Sequence, residues 1–261
     1  MGKHLVFFIG LMTIISCTKV IDIDLNEANS IVVIEANYAA EDSTVRVLVT
    51  QTTSYFNNET PPTINNAAIT IIDHLGNSTV VPFVSEGKYE LTNYIPLYDT
   101  EYVLNVSYDG TIYSATSEMR TPIVQMPIYY EYTEGFFGSK AGYLAYLSYL
   151  DPVASQDHIM AILSKNGKPK TKLDQLTLAD DQLTNGNTIV RPLFAKIFNL
   201  GDTVGVELRT IDRDVYHYYI ELQSLTDPNS AAPANPTFQW TNKALGYFSA
   251  YGNSRQEVVV I

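Results

Sequence analysis

Cysteine is almost absent from this sequence. Cys17 is the only one, so the given chain has no pair with which to form a disulfide. Basic residues are also few, with 16 Lys and Arg against 28 Asp and Glu and a net charge of −12. Nucleic-acid binders present a basic face to phosphates, so this balance argues against a nucleic-acid partner. The fold must then depend on its apolar core, for which a hydrophobic content of 46% is sufficient.

Motifs of the common catalytic sites are missing as well. The chain has no Gly-x-Ser-x-Gly nucleophile motif, no His-Glu-x-x-His zinc motif and no phosphate-binding loop. Outside the N-terminal segment, His74, His158 and His217 lie far apart in sequence and lack the spacing of metal ligands. These absences predict a protein that is not an enzyme, with no catalytic residues, no cofactor and no metal.

Two acidic segments resemble parts of functional sites but depart from them. The segment that begins at Asp22 opens like a calcium loop, yet Glu27 stands where that loop needs glycine and Val33 stands where it needs glutamate. An EF-hand is therefore excluded, and we interpret the segment as an acidic tether. Asp180 and Asp181 could form half of a catalytic carboxylate pair. Because the sequence shows no partner for them, we interpret them as loop or helix-end residues.

The N-terminal segment is typical of an exported lipoprotein. The apolar run Leu5–Ile15 is shorter than the ~20 residues of a membrane-spanning helix and matches a secretory signal. Ile14, Ile15 and Ser16, which directly precede Cys17, resemble a bacterial lipobox. We predict a lipoprotein signal peptide over residues 1–16, lipid attachment at Cys17 and a lipidated tether over residues 17–29. The alternative is an ordinary signal peptide with a cysteine near the cleavage site by chance.

The first half of the mature chain alternates apolar and polar residues in short runs. The runs are joined by turn residues, and Asp109-Gly110 between the last two is a strong hairpin signal. Seven such runs predict an immunoglobulin-like antiparallel sandwich over residues 30–121. Tyr102, at the head of the penultimate run, matches the tyrosine corner of such sandwiches, whose hydroxyl bonds to upstream backbone.

The second half is predicted to be a separate β-rich domain. Prolines at both ends of residues 122–127 indicate a stiff linker. Residues 128–261 are then predicted to form a barrel-like or sandwich-like domain that ends in two strands. One segment has helical periodicity, which predicts an amphipathic helix capped by Asp212 or Asp214. The fold class is therefore mainly β.

Several segments together are similar to a known family. They are "CTKVIDIDL", "IVVIEANY", "VTQTTSYFNNETPPTINNAAITIID", "LADDQLTNG", "YHYYIELQSL", "NPTFQWTNKALGYFSAYG" and "VVVI". Their order and spacing, rather than any single motif, resemble a Bacteroidota lipoprotein family catalogued as domain of unknown function (DUF) family 4249. The resemblance implies an outer-membrane lipoprotein, often encoded beside a TonB-dependent receptor, with an immunoglobulin-like domain and a second β domain. It implies no established activity and no catalytic residues.

Aromatic residues in polar loops are the remaining candidates for contact with a partner. They are Tyr55, Phe56, Phe136, Phe137 and Trp240. Aromatic side chains in such loops are typical of contacts with a protein or a sugar. The alternative is that they pack beneath their loops, with Trp240 and Phe238 lying on the last sheet.

These observations leave three functional hypotheses. The leading one is a non-enzymatic outer-membrane lipoprotein that partners a TonB-dependent transporter in nutrient uptake or its assembly. The second is a surface glycan- or peptide-binding lipoprotein without a fixed transporter, which an exposed Trp240 would favour and a buried one would weaken. The third is a hydrolase at the domain junction, which needs carboxylates or histidines converging in one cleft. The sequence does not specify the face of the outer membrane.

Overall fold

The computed structural model describes residues 30–53, 60–135, 140–181, 186–226 and 236–261, except for the side chain of Ala195. These ranges contain 16 strands and one α-helix, which confirms the mainly β fold class. No helix in them has the length and apolar character needed to cross a membrane.

The first eight strands belong to the N-terminal part of the chain. They are β1 (Val32–Ala39), β2 (Thr44–Gln51), β3 (Ala68–Ile72), β4 (Ser78–Val80), β5 (Phe83–Ser85), β6 (Lys88–Leu91), β7 (Thr100–Tyr108) and β8 (Thr111–Met119).

The remaining elements follow the segment that was predicted as a linker. They are β9 (Tyr129–Thr133), β10 (Gly142–Leu150), β11 (His158–Lys165), β12 (Lys168–Pro169), β13 (Thr177–Asp180), β14 (Thr188–Phe198), β15 (Thr203–Ile211), α1 (Arg213–Thr226) and β16 (Leu245–Val259). Short 3-10 turns lie at Leu173–Gln175 and Thr241–Lys243.

Two sheets enclose the first core. One has the order β4-β3-β7-β8, and the other is the part of a nine-stranded sheet that runs β16-β1-β2-β6-β5. Apolar residues alternate inward from both sheets, as Ile34, Val47, Ile71 and Leu104 illustrate, each at most 2% exposed. This period-two burial is the pattern on which the prediction of a sandwich depended.

The tyrosine corner predicted at Tyr102 is present. The Leu97 amide donates a hydrogen bond of 2.8 Å to the Tyr102 hydroxyl. The Tyr102 ring is 2% exposed and meets the Tyr38 ring edge-on at 5.1 Å between centroids. The Tyr38 hydroxyl in turn donates to the Tyr94 carbonyl at 2.6 Å. These bonds satisfy the buried polar ends of the rings and support the immunoglobulin-like description of this part.

The second core also lies between two sheets. The three-stranded sheet β14-β10-β9 packs on the part of the nine-stranded sheet that contains β11 and β15. Leu147, Leu163, Phe198 and Leu208 are at most 2% exposed in this core. Of the two architectures predicted for this half, the arrangement is the sandwich-like one.

The final strand takes part in both halves. Its first residues pair in parallel with β1, from Val33↔Leu245 to Ala39↔Tyr251. Its remaining residues pair antiparallel with β15, from Thr210↔Gly252 to Thr203↔Val259. The sequence predicts two strands here, and the structure corrects this to one. Gly252 is not a turn residue: a Cβ on it would lie 2.4 Å from the Arg120 carbonyl oxygen, so glycine permits the close approach of the connecting segment.

The division of the chain at residues 122–127 stays a prediction, and the structure adds a qualification to it. Trp240, Phe248 and Ala250 are buried in the first core, although residues 128–261 were assigned to the second domain. Parallel pairing of β16 with β1 requires a long connection, which the whole second half supplies. The two halves therefore share one continuous sheet.

Helix α1 forms where the helical periodicity predicts it. The Asp212 carboxylate accepts a 2.8 Å hydrogen bond from the Val215 amide, so Asp212, the first of the two predicted candidates, caps the helix. The same carboxylate accepts a hydrogen bond from the Ser117 hydroxyl of β8. The helix packs through Val215 onto the outer face of the nine-stranded sheet, in a cluster that includes Met160 and Tyr251.

Candidate functional site

A cleft of about 750 Å³ lies on the outer face of the nine-stranded sheet, between α1 and the strands β1, β15 and β16. We call it the sheet–helix cleft. Its floor is formed by side chains of the strands, and α1 with the 3-10 turn Leu173–Gln175 forms one wall. Because β1 and β15 flank β16 on opposite sides, the cleft lies where the two halves meet.

Tyrosines form the aromatic side of the cleft. The Tyr247 ring lies 5.5 Å from that of Tyr218 and 5.3 Å from that of Tyr219. The Tyr247 hydroxyl accepts a 3.1 Å hydrogen bond from the Asn37 amide group. Burial raises the pKa of Tyr218 to about 12 and raises that of Tyr219 further, so both remain neutral hydrogen-bonding groups at neutral pH.

Charged side chains form the other side of the cleft, and each arginine already has an acidic partner. Arg255 contacts Glu41 at 2.8 Å and Glu207 at 3.2 Å. Arg209 bonds Glu207 at 2.7 Å, and its guanidinium lies 4.4 Å from the centre of the Tyr251 ring. These pairs hold the arginines in fixed orientations across the sheet.

The third arginine, Arg46 of β2, closes the cleft at its far edge. Its guanidinium contacts Asp42 at 2.5 Å and Glu90 at 3.3 Å. Burial raises the pKa of the neighbouring Glu35 carboxyl. The lining therefore contains Arg46, Arg209 and Arg255 together with Glu35, Glu41 and Asp42, so the formal charges balance.

The sequence did not single out this cleft. Its residues come from β1, β2, β11, β15, β16 and α1, and the pairing that joins these elements spans most of the chain. A partial signal exists in the polar positions of the alternating strands. Glu35 and Asn37 of β1 and Arg209 of β15 mark the outer face of each strand, but alternation does not reveal which faces meet.

Trp240, one of the predicted contact residues, is not at the surface. Its side chain is 2% exposed in the first core, and its indole N–H donates a 3.2 Å hydrogen bond to the Ile34 carbonyl. The apolar ring packs in the core beside the parallel pair β1 and β16. This agrees with the alternative that the aromatic residue packs beneath its loop. Phe238, expected to pack beside it, is 42% exposed. Cys17 and the other predicted contact residues, Tyr55, Phe56, Phe136 and Phe137, lie outside the described residues.

Three aspartates from two separate segments of the chain meet at one end of the second core. Asp151, Asp157 and Asp181 each offer a carboxylate oxygen within 4.8 Å of one from each of the others. Asp181 does lie in the loop that follows β13, as interpreted, but it has carboxylate partners that the sequence did not reveal, and Asp180 is the last residue of β13. Each of the three adjoins the end of a strand, which is the signal that could have suggested their convergence.

The three histidines within the described ranges form no comparable group. His74 lies in the turn before β4, far along the chain from the other two. His158 and His217 do approach each other, with 6.5 Å between ring centroids, and the Tyr216 ring lies 4.9 Å from His158. Burial lowers the pKa of His158, which favours the neutral imidazole. These contacts resemble aromatic packing beside the helix.

The fold and the cleft define the class of this molecule as an all-β protein with two cores that share one sheet. The family model described as "Domain of unknown function (DUF4249)" matches residues 18–257, so the chain belongs to that family, as predicted from the sequence. No curated protein matches the chain.

One similar solved structure is a two fibronectin type-III domain segment from chicken tenascin. It is 10% identical in sequence, and the match covers 89% of this chain and 100% of that chain, with a TM-score of 0.26. A TM-score this low carries no weight, so the fold assignment rests on the strand pairing described above.

Proposed function

We propose that this protein is a non-enzymatic lipoprotein, anchored in the outer membrane through a lipid on Cys17, that binds a TonB-dependent transporter. Membership of the family and the lipobox-like segment before Cys17 support the anchor. The sheet–helix cleft supports the binding role and is the contact surface that we assign to the transporter.

The observation that carries the binding role is the composition of the cleft. Tyrosine and arginine are enriched among the hot-spot residues that supply most of the binding energy of protein interfaces. Here Tyr218, Tyr247, Arg46 and Arg255 border one concave surface. The ion pairs of the arginines restrict their side chains before any partner arrives, which reduces the entropy lost on binding.

The charge of the cleft favours a protein segment as its occupant. Three arginines and three carboxylates line it, and the arginines are already paired with acids. A free anion or cation would meet no excess of opposite charge there. An extended loop of a transporter offers both hydrogen-bond donors and hydrogen-bond acceptors. These match the tyrosine hydroxyls and the charged groups of the ion pairs.

The other two hypotheses gain less support. A surface glycan platform that uses Trp240 is weakened because Trp240 is buried. A hydrolase at the junction would need free carboxylates in the cleft, whereas Glu41 and Asp42 there are already paired with Arg255 and Arg46. The clustered Asp151, Asp157 and Asp181 are at most 5% exposed. Buried carboxylates of this kind are better suited to a structural role.

Purification of the lipidated protein from native outer membranes in mild detergent tests the proposal. We expect a TonB-dependent transporter to co-purify in stoichiometric amount. Recovery of the lipidated, folded protein alone would overturn the proposed partnership.

Charge reversal tests the place of contact. The double variant Arg46→Glu, Arg255→Glu changes two arginines whose side chains are 47% and 57% exposed, so their loss costs the fold little. We expect it to lose the transporter, while Arg213→Glu, an exposed arginine outside the cleft, keeps it. If the double variant still bound the transporter, the partnership would stand but the cleft would not be its site.

A further inference from the structure

The three clustered aspartates come from different strands at one end of the second core. Asp151 follows β10, Asp157 precedes β11 and Asp181 follows β13. Their exposed fractions are 2%, 5% and 4%. Burial of three carboxylates at such short range is unfavourable unless something compensates their charge.

The protein supplies only part of that compensation. Arg120 lies 3.5 Å from the Asp157 carboxylate, which is the one ion pair that the cluster makes within the described ranges. The Ser155 hydroxyl donates to Asp157 at 2.7 Å, and the Asp157 amide donates to Asp181 at 2.8 Å. Arg120 also pairs with Glu118 at 2.9 Å, and within the described ranges no ion pair neutralises Asp151 or Asp181.

Asp151 gives a second and separate observation. Its Oδ2 atom is buried and has no hydrogen-bond partner among the residues that the structure describes, although the carboxylate receives a bond from the Gly186 amide. A buried carboxylate oxygen without a partner, within a cluster of like charges, calls for a compensating group, and a cation shared by the three carboxylates would supply it.

We propose that Asp151, Asp157 and Asp181 bind one divalent cation, and that the cation is calcium. Calcium takes oxygen ligands at about 2.3–2.6 Å, so two oxygens on opposite sides of the ion lie up to about 5 Å apart. One oxygen from each of the three carboxylates lies within 4.8 Å of the other two, which is short enough for all three to reach one ion. Zinc prefers nitrogen and sulfur ligands, and magnesium retains several waters, which a buried site of carboxylates accommodates poorly.

The position of the site gives the ion a structural role. Asp151 directly follows β10 of the three-stranded sheet, whereas Asp157 and Asp181 adjoin strands of the nine-stranded sheet. Calcium held among them ties the two sheets of the second core together. Through Asp157 and Arg120 it also lies next to the segment that connects the two halves.

Terbium, which replaces calcium and emits when a nearby tyrosine is excited, provides a direct probe. Tyr149 is 3% exposed and lies two residues before Asp151. We expect the chelator-treated, detergent-solubilised protein to sensitise terbium emission, and calcium to displace the terbium. We also expect calcium to raise the temperature of unfolding. A protein that shows neither effect would overturn the proposal without any mutation.

A matched pair of variants identifies the ligands. Asp151→Asn is expected to weaken terbium and calcium binding by at least about tenfold and to abolish the calcium-dependent rise in unfolding temperature. Asp174→Asn, an exposed aspartate in the 3-10 turn, is expected to behave as the unchanged protein.

The competing explanation is a cluster that shares protons and binds no ion. In that case Asp151→Asn would raise the unfolding temperature equally with calcium and with chelator, because it removes like-charge repulsion. That result would overturn the proposal. If Asp151→Asn fails to fold, Asp181→Asn and the measurements on the unchanged protein still decide it.

Discussion

Gly246 is the residue at which the shared sheet can be broken most selectively. It pairs with Ile34 in the parallel ladder between β16 and β1 and has φ +97°. A Cβ at this position would lie 2.1 Å from the Ile34 carbonyl oxygen. Gly246→Ala is therefore expected to force the two strands apart where the final strand enters the first core.

The size of the effect has two parts. Positive φ in a residue with a side chain costs about 1–3 kcal/mol. Insertion of a carbon into a packed region costs typically about 1–3 kcal/mol, and here the obstacle is backbone rather than a flexible side chain. We expect Gly246→Ala to lower the free energy of unfolding by about 4 kcal/mol.

Gly201 separates the two contributions. It lies in the turn between β14 and β15 with φ +83°, and a Cβ on it would meet nothing within 4 Å. Gly201→Ala should therefore show only the backbone strain, about 1–2 kcal/mol. The two variants differ in the steric conflict alone.

Urea unfolding followed by tryptophan fluorescence measures the effect where it should occur. Trp240 is the only tryptophan and is buried in the first core, beside β1 and β16. Gly246→Ala is expected to shift its unfolding midpoint far more than Gly201→Ala. If the two variants lost equal stability within about 0.5 kcal/mol, the parallel pairing of β1 with β16 would not be as close as described.

Two further predictions concern single polar groups. Burial raises the pKa of Asp212 to about 6. The folded state thus holds this proton more tightly than the unfolded chain, and stability falls as pH rises from about 4 to about 6, by at most about 3 kcal/mol. Asp212→Asn keeps the helix cap and should remove this part of the pH dependence of the free energy of unfolding, as measured by urea unfolding across this range. An unchanged pH dependence would contradict the burial of Asp212. Tyr102→Phe leaves the Leu97 amide without its acceptor and should lower the free energy of unfolding by about 1–3 kcal/mol, whereas no loss in the same assay would contradict the tyrosine corner.

Local sequence patterns were sufficient to predict the parts of the structure that depend on residues close together in the chain. Alternation predicts the strands because inward and outward positions repeat every two residues. The helix and its cap at Asp212 follow from a 3.6-residue period and a side chain that reaches the third amide of the helix. The tyrosine corner was predictable because Tyr102 bonds an amide only five residues away.

Contacts between distant segments could not be predicted in this way. Glu35 lies beside Tyr247 because β1 pairs with β16, and nothing in either strand alone specifies that pairing. The same holds for Asp151 and Asp181, each of which looks like an ordinary loop residue in its own segment. Trp240 was a candidate contact residue because its loop is polar, and packing on the last sheet was the alternative; its burial depends on strands that are about 200 residues earlier in the chain.

The shared strand has a consequence for how binding would affect the whole protein. Tyr247 and Arg255 lie on β16, one in the part paired with β1 and the other in the part paired with β15. A hydrogen-bonded chain from the Ala250 amide to Ser117, and from Ser117 to Asp212, fastens the same strand to β8 and to the helix. A partner in the sheet–helix cleft therefore contacts elements of both cores at once. Because it binds only when both are folded, its binding free energy would add to the stability of both rather than of one.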